Sequence, residues 1–142
     1  MPVRNASAVW EGGLKGGKGT FKAGTGAFGG SYSFGTRFEE APGTNPEELI
    51  ASAHAACFSM ALSAGLERAG KTPTRIETRA AATFEKVGDA WRITRMKLVT
   101  RGKVPGLDQA GFAKAAEDAK NGCPVSNALK GNVAFELDAK LE

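Results

Sequence analysis

With 142 residues the chain has the length of one domain, since domains usually run to roughly 100–150 residues, and a single domain over 1–142 is expected. Apolar residues at 42% and charged residues at 24% describe a chain able to bury a core, which excludes a disordered one. The net charge of +4 is a mild excess spread along the sequence and does not single out nucleic acid.

The start, Met1-Pro2-Val3-Arg4-Asn5-Ala6, lacks the apolar stretch of a secretory signal, so a cytoplasmic chain whose thiols begin reduced is expected. The most apolar stretch, Leu49 to Leu66, is mostly Ala and Ser with His54 inside it. A bilayer span needs about 20 strongly apolar residues, so no membrane association is expected.

The first forty residues are rich in Gly with Val, Trp, Phe and Thr between, the pattern of short strands joined by hairpins; strands are expected at about 3–10, 18–24 and 31–38. Gly12 to Gly19 has the look of a phosphate loop, but Gly19 stands where such a loop needs Ser or Thr for magnesium, and no parallel strand–helix unit frames it. A long helix over 46–69 carries the strongest local signal. Asn45 is its N-cap, Pro46 takes the first helical position, Glu48 completes a capping box, and Gly70 with Pro73 closes it. Its body is small or apolar nearly all round, which implies cover on most sides and hence a partner subunit.

Ile76, Thr78, Ala80, Ala82 and Phe84 alternate in a half-buried strand, and Gly88-Asp89 turns it into a second strand from Trp91 to Val99. The alternation there slips by one position between Ile93 and Met96, the mark of a bulge. Asp108 caps a helix running to about Lys120, with Phe112, Ala115, Ala116 and Ala119 on its inner stripe. Gly122 breaks it, Cys123-Pro124-Val125-Ser126 opens a further helical segment through Leu129, and Val133, Phe135 and Leu137 alternate in a last strand. The expected fold is α+β, with antiparallel sheet around two central helical segments.

Two cysteines are too few for a disulfide scaffold. Cys57, mid-helix among alanines, reads as a small buried residue. Cys123 stands between a helix-breaking Gly and a Pro at a helix start, where unpaired amides favour a thiolate. Together they point to a dithiol–disulfide cycle, although sequence alone does not bring them together. His54 lies one turn before Cys57, so a nucleophile with its base is open as well. One His and two separated Cys do not supply the four ligands of a zinc site. Glu47 and Glu48 have a structural duty at a helix N-terminus, and Arg37 reads as a strand-surface charge.

The segments Thr36-Arg37-Phe38-Glu39, Gly43-Thr44-Asn45-Pro46-Glu47-Glu48-Leu49-Ile50, Ala53-His54-Ala55-Ala56-Cys57-Phe58-Ser59-Met60-Ala61-Leu62 and Gly122-Cys123-Pro124-Val125-Ser126 resemble the family of osmotically inducible protein C and the organic hydroperoxide resistance proteins. The likeness runs from Trp10-Glu11-Gly12 to the last strand, and the Arg37 segment resembles the osmotically inducible branch. It implies an intertwined homodimer with antiparallel sheets wrapped around two central helices, acting as a thiol-dependent peroxidase on organic hydroperoxides and less well on hydrogen peroxide. It further implies that Cys57 attacks the peroxide, Cys123 resolves the product as a disulfide, and Arg37 and Glu47 form a supporting pair. No cofactor is implied beyond an external dithiol reductant, a lipoyl-type dithiol being one form.

Glu47 and Cys57 lie ten positions apart, roughly 15 Å on a straight helix. One Arg serving both is easier across two subunits, so sites shared over a dimer interface are expected. Phe34, Phe38 and Phe58 are candidates for an apolar substrate lining, with core packing as the alternative duty of each. Competing readings are a thiol redox sensor or disulfide exchange protein, and a basic nucleic-acid-binding module whose affinity would fall steeply with salt.

Overall fold

A computed structural model describes all 142 residues, which divide into two compact units, Met1–Leu49 and Ile50–Glu142. In the first, β1 (Ala6–Glu11), β2 (Lys18–Ala23) and β3 (Gly29–Tyr32) form an antiparallel sheet in the order β1-β2-β3. Trp10 and Phe21 both approach Tyr32, with ring centroids 5.5 and 6.1 Å away, so the Gly-rich strands are held by a small aromatic cluster.

The third strand is shorter than expected. Residues 33–38 do not continue it; Phe34–Phe38 forms a short helix, α1. Ser33 caps it reciprocally with Thr36: the Thr36 N–H donates to Ser33 Oγ at 3.3 Å, and the Ser33 N–H donates to Thr36 Oγ1 at 2.9 Å. The alternation of Tyr32, Phe34, Thr36 and Phe38 imitates a strand, but local side-chain bonds to the backbone overrule it.

The long helix α2 spans Pro46–Arg68, with its first turn in the first unit and the rest in the second. As expected, the Asn45 side chain accepts from the Glu48 N–H, at 2.8 Å. At the other end Gly70 takes φ +77°, and bonds from Gly70 N–H to Glu67 and from Lys71 N–H to Leu66 close the helix. This is the left-handed cap that glycine accepts at least cost. By length and composition α2 would also suit a membrane. Its side chains, however, follow the pattern of a core helix: Ala51, His54, Phe58, Leu62 and Leu66 recur every three or four positions and are all buried.

In the second unit, β4 (Arg75–Val87) and β5 (Ala90–Lys103) make a long antiparallel hairpin. Thr83 faces Arg95 while Phe84 faces Ile93, so Thr94 is the extra residue of the expected bulge. Two helices follow, α3 (Gln109–Gly122) and α4 (Pro124–Leu129), then β6 (Ala134–Leu141). The sheet order is β4-β5-β6, and β6 runs parallel to β5. The sheet is therefore mixed and not wholly antiparallel, because α3 and α4 form the crossover that a parallel pair requires. Phe58, Leu62 and Leu66 of α2 meet Met96, Leu98, Phe112, Ala116 and Ala119 in one core. Packing is close there: a Cβ on Gly102 would lie 2.5 Å from Phe112 Cε1, so only glycine leaves room for that buried ring.

Candidate active site

Helix α2 presents His54 and Cys57 one turn apart, and the α3–α4 junction presents Cys123. That junction is unusually well determined, because Cys123 ends one helix and starts the next. Its N–H donates to Ala119 O at 2.9 Å, while its sulfur accepts the N–H of Ser126 at 3.3 Å. Pro124 fits the first position of α4, where no N–H is needed. The outcome is a buried thiol on a backbone held from both sides.

The fold brings the two sulfurs together. Cys57, half-buried, packs against the same core as Cys123 and is electrostatically coupled to it, and both are free thiols. Burial pushes the Cys57 thiol up, the Val125 backbone N–H beside it pulls it down, and the neighbouring Cys123 pushes it up again. The net upward direction means that this surrounding does not by itself make a ready thiolate.

His54 is not the base of Cys57. Its ring is fully buried, and Nε2 lies 2.7 Å from Ser126 Oγ. Burial lowers the imidazole below its ordinary range. Ser126 Oγ in turn lies 3.1 Å from Cys123 Sγ. Val125 and Ser126 were not singled out as site residues by sequence reasoning, although the three-residue step from Cys123 to Ser126 is a helical contact distance.

In the first unit, Arg37 and Glu47 meet as the resemblance implied. Arg37 Nη2 and Nε donate to Glu47 Oε1 at 2.8 and 3.1 Å, and Nε also approaches Oε2 at 3.4 Å. Arg37 lies on α1 and not on a strand. Its guanidinium carbon sits 5.5 Å from the Phe38 ring centroid, and Phe34 and Phe38 pair at 4.9 Å. Trp10, Leu14, Tyr32, Phe34, Arg37 and Phe38 line a concavity of about 240 Å³. Phe58, the third expected lining residue, is instead fully buried in the core of the second unit, where its helical position turns it inward with Leu62. No three His, Cys, Asp or Glu side chains converge as metal ligands.

A pair of neighbouring thiols and an aimed arginine–carboxylate pair are what the sequence motifs carry. Residues 38–138 match the family model of the OsmC-like proteins. The chain belongs to the OsmC family. It is 46% identical over 138 residues to peroxiredoxin OsmC of Escherichia coli K12, covering 96% of each. It is 33% identical over 96 residues to the organic hydroperoxide resistance protein of Xanthomonas axonopodis pv. citri, covering 67% of this chain and 66% of that one. Among solved structures, an organic hydroperoxide resistance protein OsmC from Legionella pneumophila shares the OsmC fold with a TM-score of 0.77 at 22% identity, over 99% of both chains. OhrB of Bacillus subtilis gives a TM-score of 0.70 at 25% identity, over 96% of this chain and 98% of that one.

Proposed function

We propose that the protein is a thiol peroxidase that reduces organic hydroperoxides by a cycle between two thiols and one disulfide. The observation that carries this reading is that Cys57 and Cys123 are electrostatically coupled neighbours at one core, because a sulfenic acid formed on one then has the thiol of the other beside it. The names of the relatives, peroxiredoxin and organic hydroperoxide resistance protein, support the substrate class.

In the proposed cycle the Cys57 thiolate attacks the terminal peroxide oxygen, the O–O bond breaks, and the alcohol leaves after taking a proton. Arg37 favours the thiolate and the charge that develops on the leaving oxygen, with Glu47 aiming its fork of donors. Such a cation is needed, since burial pushes the Cys57 thiol up. Cys123 then closes the disulfide, and an external dithiol, for instance of lipoyl type, reopens it with two electrons. A cytoplasmic, reducing setting belongs to the same proposal.

We further read the working form as a homodimer in which Arg37 and Glu47 of one subunit serve Cys57 of the other. Two features support it. Glu47 and Cys57 are separated by about 15 Å of rise on α2, and that helix leaves Met60 77% exposed on its uncovered side.

The test is consumption of cumene hydroperoxide with a dithiol. Cys57→Ser should abolish even one turnover, and Cys123→Ser should allow one turnover and then stall or over-oxidise. A stoichiometric response without turnover in the wild type would instead indicate a redox sensor.

A further inference from the structure

The buried imidazole has no part in the cycle above, yet it is joined through Ser126 to Cys123, which does. His54 is 0% exposed, and Phe135 packs edge-on against its ring with centroids 5.3 Å apart. Its Nδ1 is buried without a hydrogen-bond partner. A proton there would be a buried donor lacking an acceptor, which interiors rarely tolerate, whereas a bare ring nitrogen is the milder omission. The proton therefore sits on Nε2 and is donated to Ser126 Oγ, 2.7 Å away. With its oxygen so engaged, Ser126 turns its own hydroxyl proton to Cys123 Sγ at 3.1 Å, and its N–H donates to the same sulfur at 3.3 Å.

The geometry points to His54 and Ser126 as positioning residues for Cys123: the imidazole fixes the direction of the serine hydroxyl, so that two donors converge on the Cys123 sulfur and favour it as the attacking and the leaving sulfur of the disulfide. A base role for His54 is the poorer fit, because an imidazolium would carry the unmet N–H on Nδ1. Burial, which lowers the imidazole below its ordinary range, also keeps the ring in the neutral form with one donor.

The consequences follow the electrons. In closure the Cys123 sulfur bonds to Cys57, the S–OH bond of the Cys57 sulfenic acid breaks, and the thiol proton leaves with the hydroxide as water. In reopening, a thiolate of the dithiol attacks Cys57, the S–S bond breaks, and Cys123 departs as the stabilised thiolate. The mixed disulfide with the reductant thus forms on Cys57, which is also the less buried sulfur.

The placement of these steps in a cycle rests on the peroxidase reading, so the experiment uses no peroxide. Dithiobis-nitrobenzoate reacts with Cys57 to give a mixed disulfide and one coloured thiolate; attack by Cys123 then releases a second. Removing a hydrogen bond to a charged group corresponds to about a tenfold slowing or more. Ser126→Ala should therefore slow the second release about tenfold relative to the first, and Ser126→Thr, which keeps the hydroxyl, should restore it. His54→Gln, which keeps an N–H donor of similar reach, should close faster than His54→Leu. Mere loosening of the fold would not discriminate within these pairs. A second release at the wild-type ratio in Ser126→Ala, or equal slowing within either pair, would overturn the proposal. Failure of hydroperoxide to oxidise Cys57 in the Cys123→Ser variant would overturn the peroxidase reading alone.

Discussion

Arg37 grips Glu47 with two guanidinium nitrogens, yet the partners sit in different surroundings: the arginine side chain is 38% exposed and the glutamate side chain 9%. The buried carboxylate needs the arginine, while the exposed guanidinium keeps access to a ligand. This one-sided burial suits an aiming device: the buried carboxylate fixes the direction of a guanidinium that solvent and ligands can still reach.

Arg37→Lys and Glu47→Ala should each lower the rate constant for hydroperoxide consumption by about tenfold or more, because a lysine lacks the planar fork and an unpaired arginine lacks its direction. Thermal melting should shift little for Glu47→Ala. Arg37→Lys preserves the charge, so near-wild-type rates from it would show that charge alone suffices and that the observed fork has no role.

Much of the chain was legible because its signals are local. Asn45, Pro46 and Glu48 state where α2 begins and Gly70 where it ends, and Cys123-Pro124 states the start of α4; these are choices a few residues can make. Two features were hidden for physical reasons. The helix at Phe34–Phe38 carries a strand-like alternation, and only the reciprocal Ser33–Thr36 bonds decide against it. The parallel entry of β6 depends on the path of the whole α3–α4 crossover, about which the alternation of Val133, Phe135 and Leu137 says nothing. In the site, the two cysteines stood out by residue type and position, while resemblance supplied their separate roles and the Arg37–Glu47 pair. The bond from His54 to Ser126 joins distant positions with no shared local pattern, and the proximity of His54 to Cys57 in sequence suggested the wrong partner.

The buried histidine also sets a direction for stability against pH. Its pKa is lowered in the folded chain from 6.5, so below about that value the unfolded chain binds a proton that the folded chain resists. Stability should be full above pH 6.5 and fall as the pH drops through 6.5, by up to about 1.4 kcal/mol per unit. It is the only histidine in the sequence, so the limb is assignable. Urea midpoints at pH 7.5 and 5.5 measure it. The drop should vanish in His54→Gln, and an equal drop in that variant would assign the limb elsewhere. The Asp138 carboxyl, held down by its bond to Arg101, loses its contribution in a separate and more acid window, as the pH falls through its lowered pKa.

Sharing of the site between subunits predicts complementation. Chains carrying Cys57→Ser retain Arg37 and Glu47, and chains carrying Arg37→Ala retain Cys57, so neither homodimer has a complete site. In a mixed dimer the shared arrangement rebuilds one site from the Arg37 of the first chain and the Cys57 of the second. With half of the dimers mixed and one of two sites intact in each, co-refolding equal amounts should return about a quarter of the wild-type rate. Were each site built within a single chain, no mixed dimer would hold a complete one and the mixture would be as slow as its parts. The two arrangements thus differ in sign of outcome, and consumption of cumene hydroperoxide by the co-refolded mixture, set against the separately refolded variants, reads it directly.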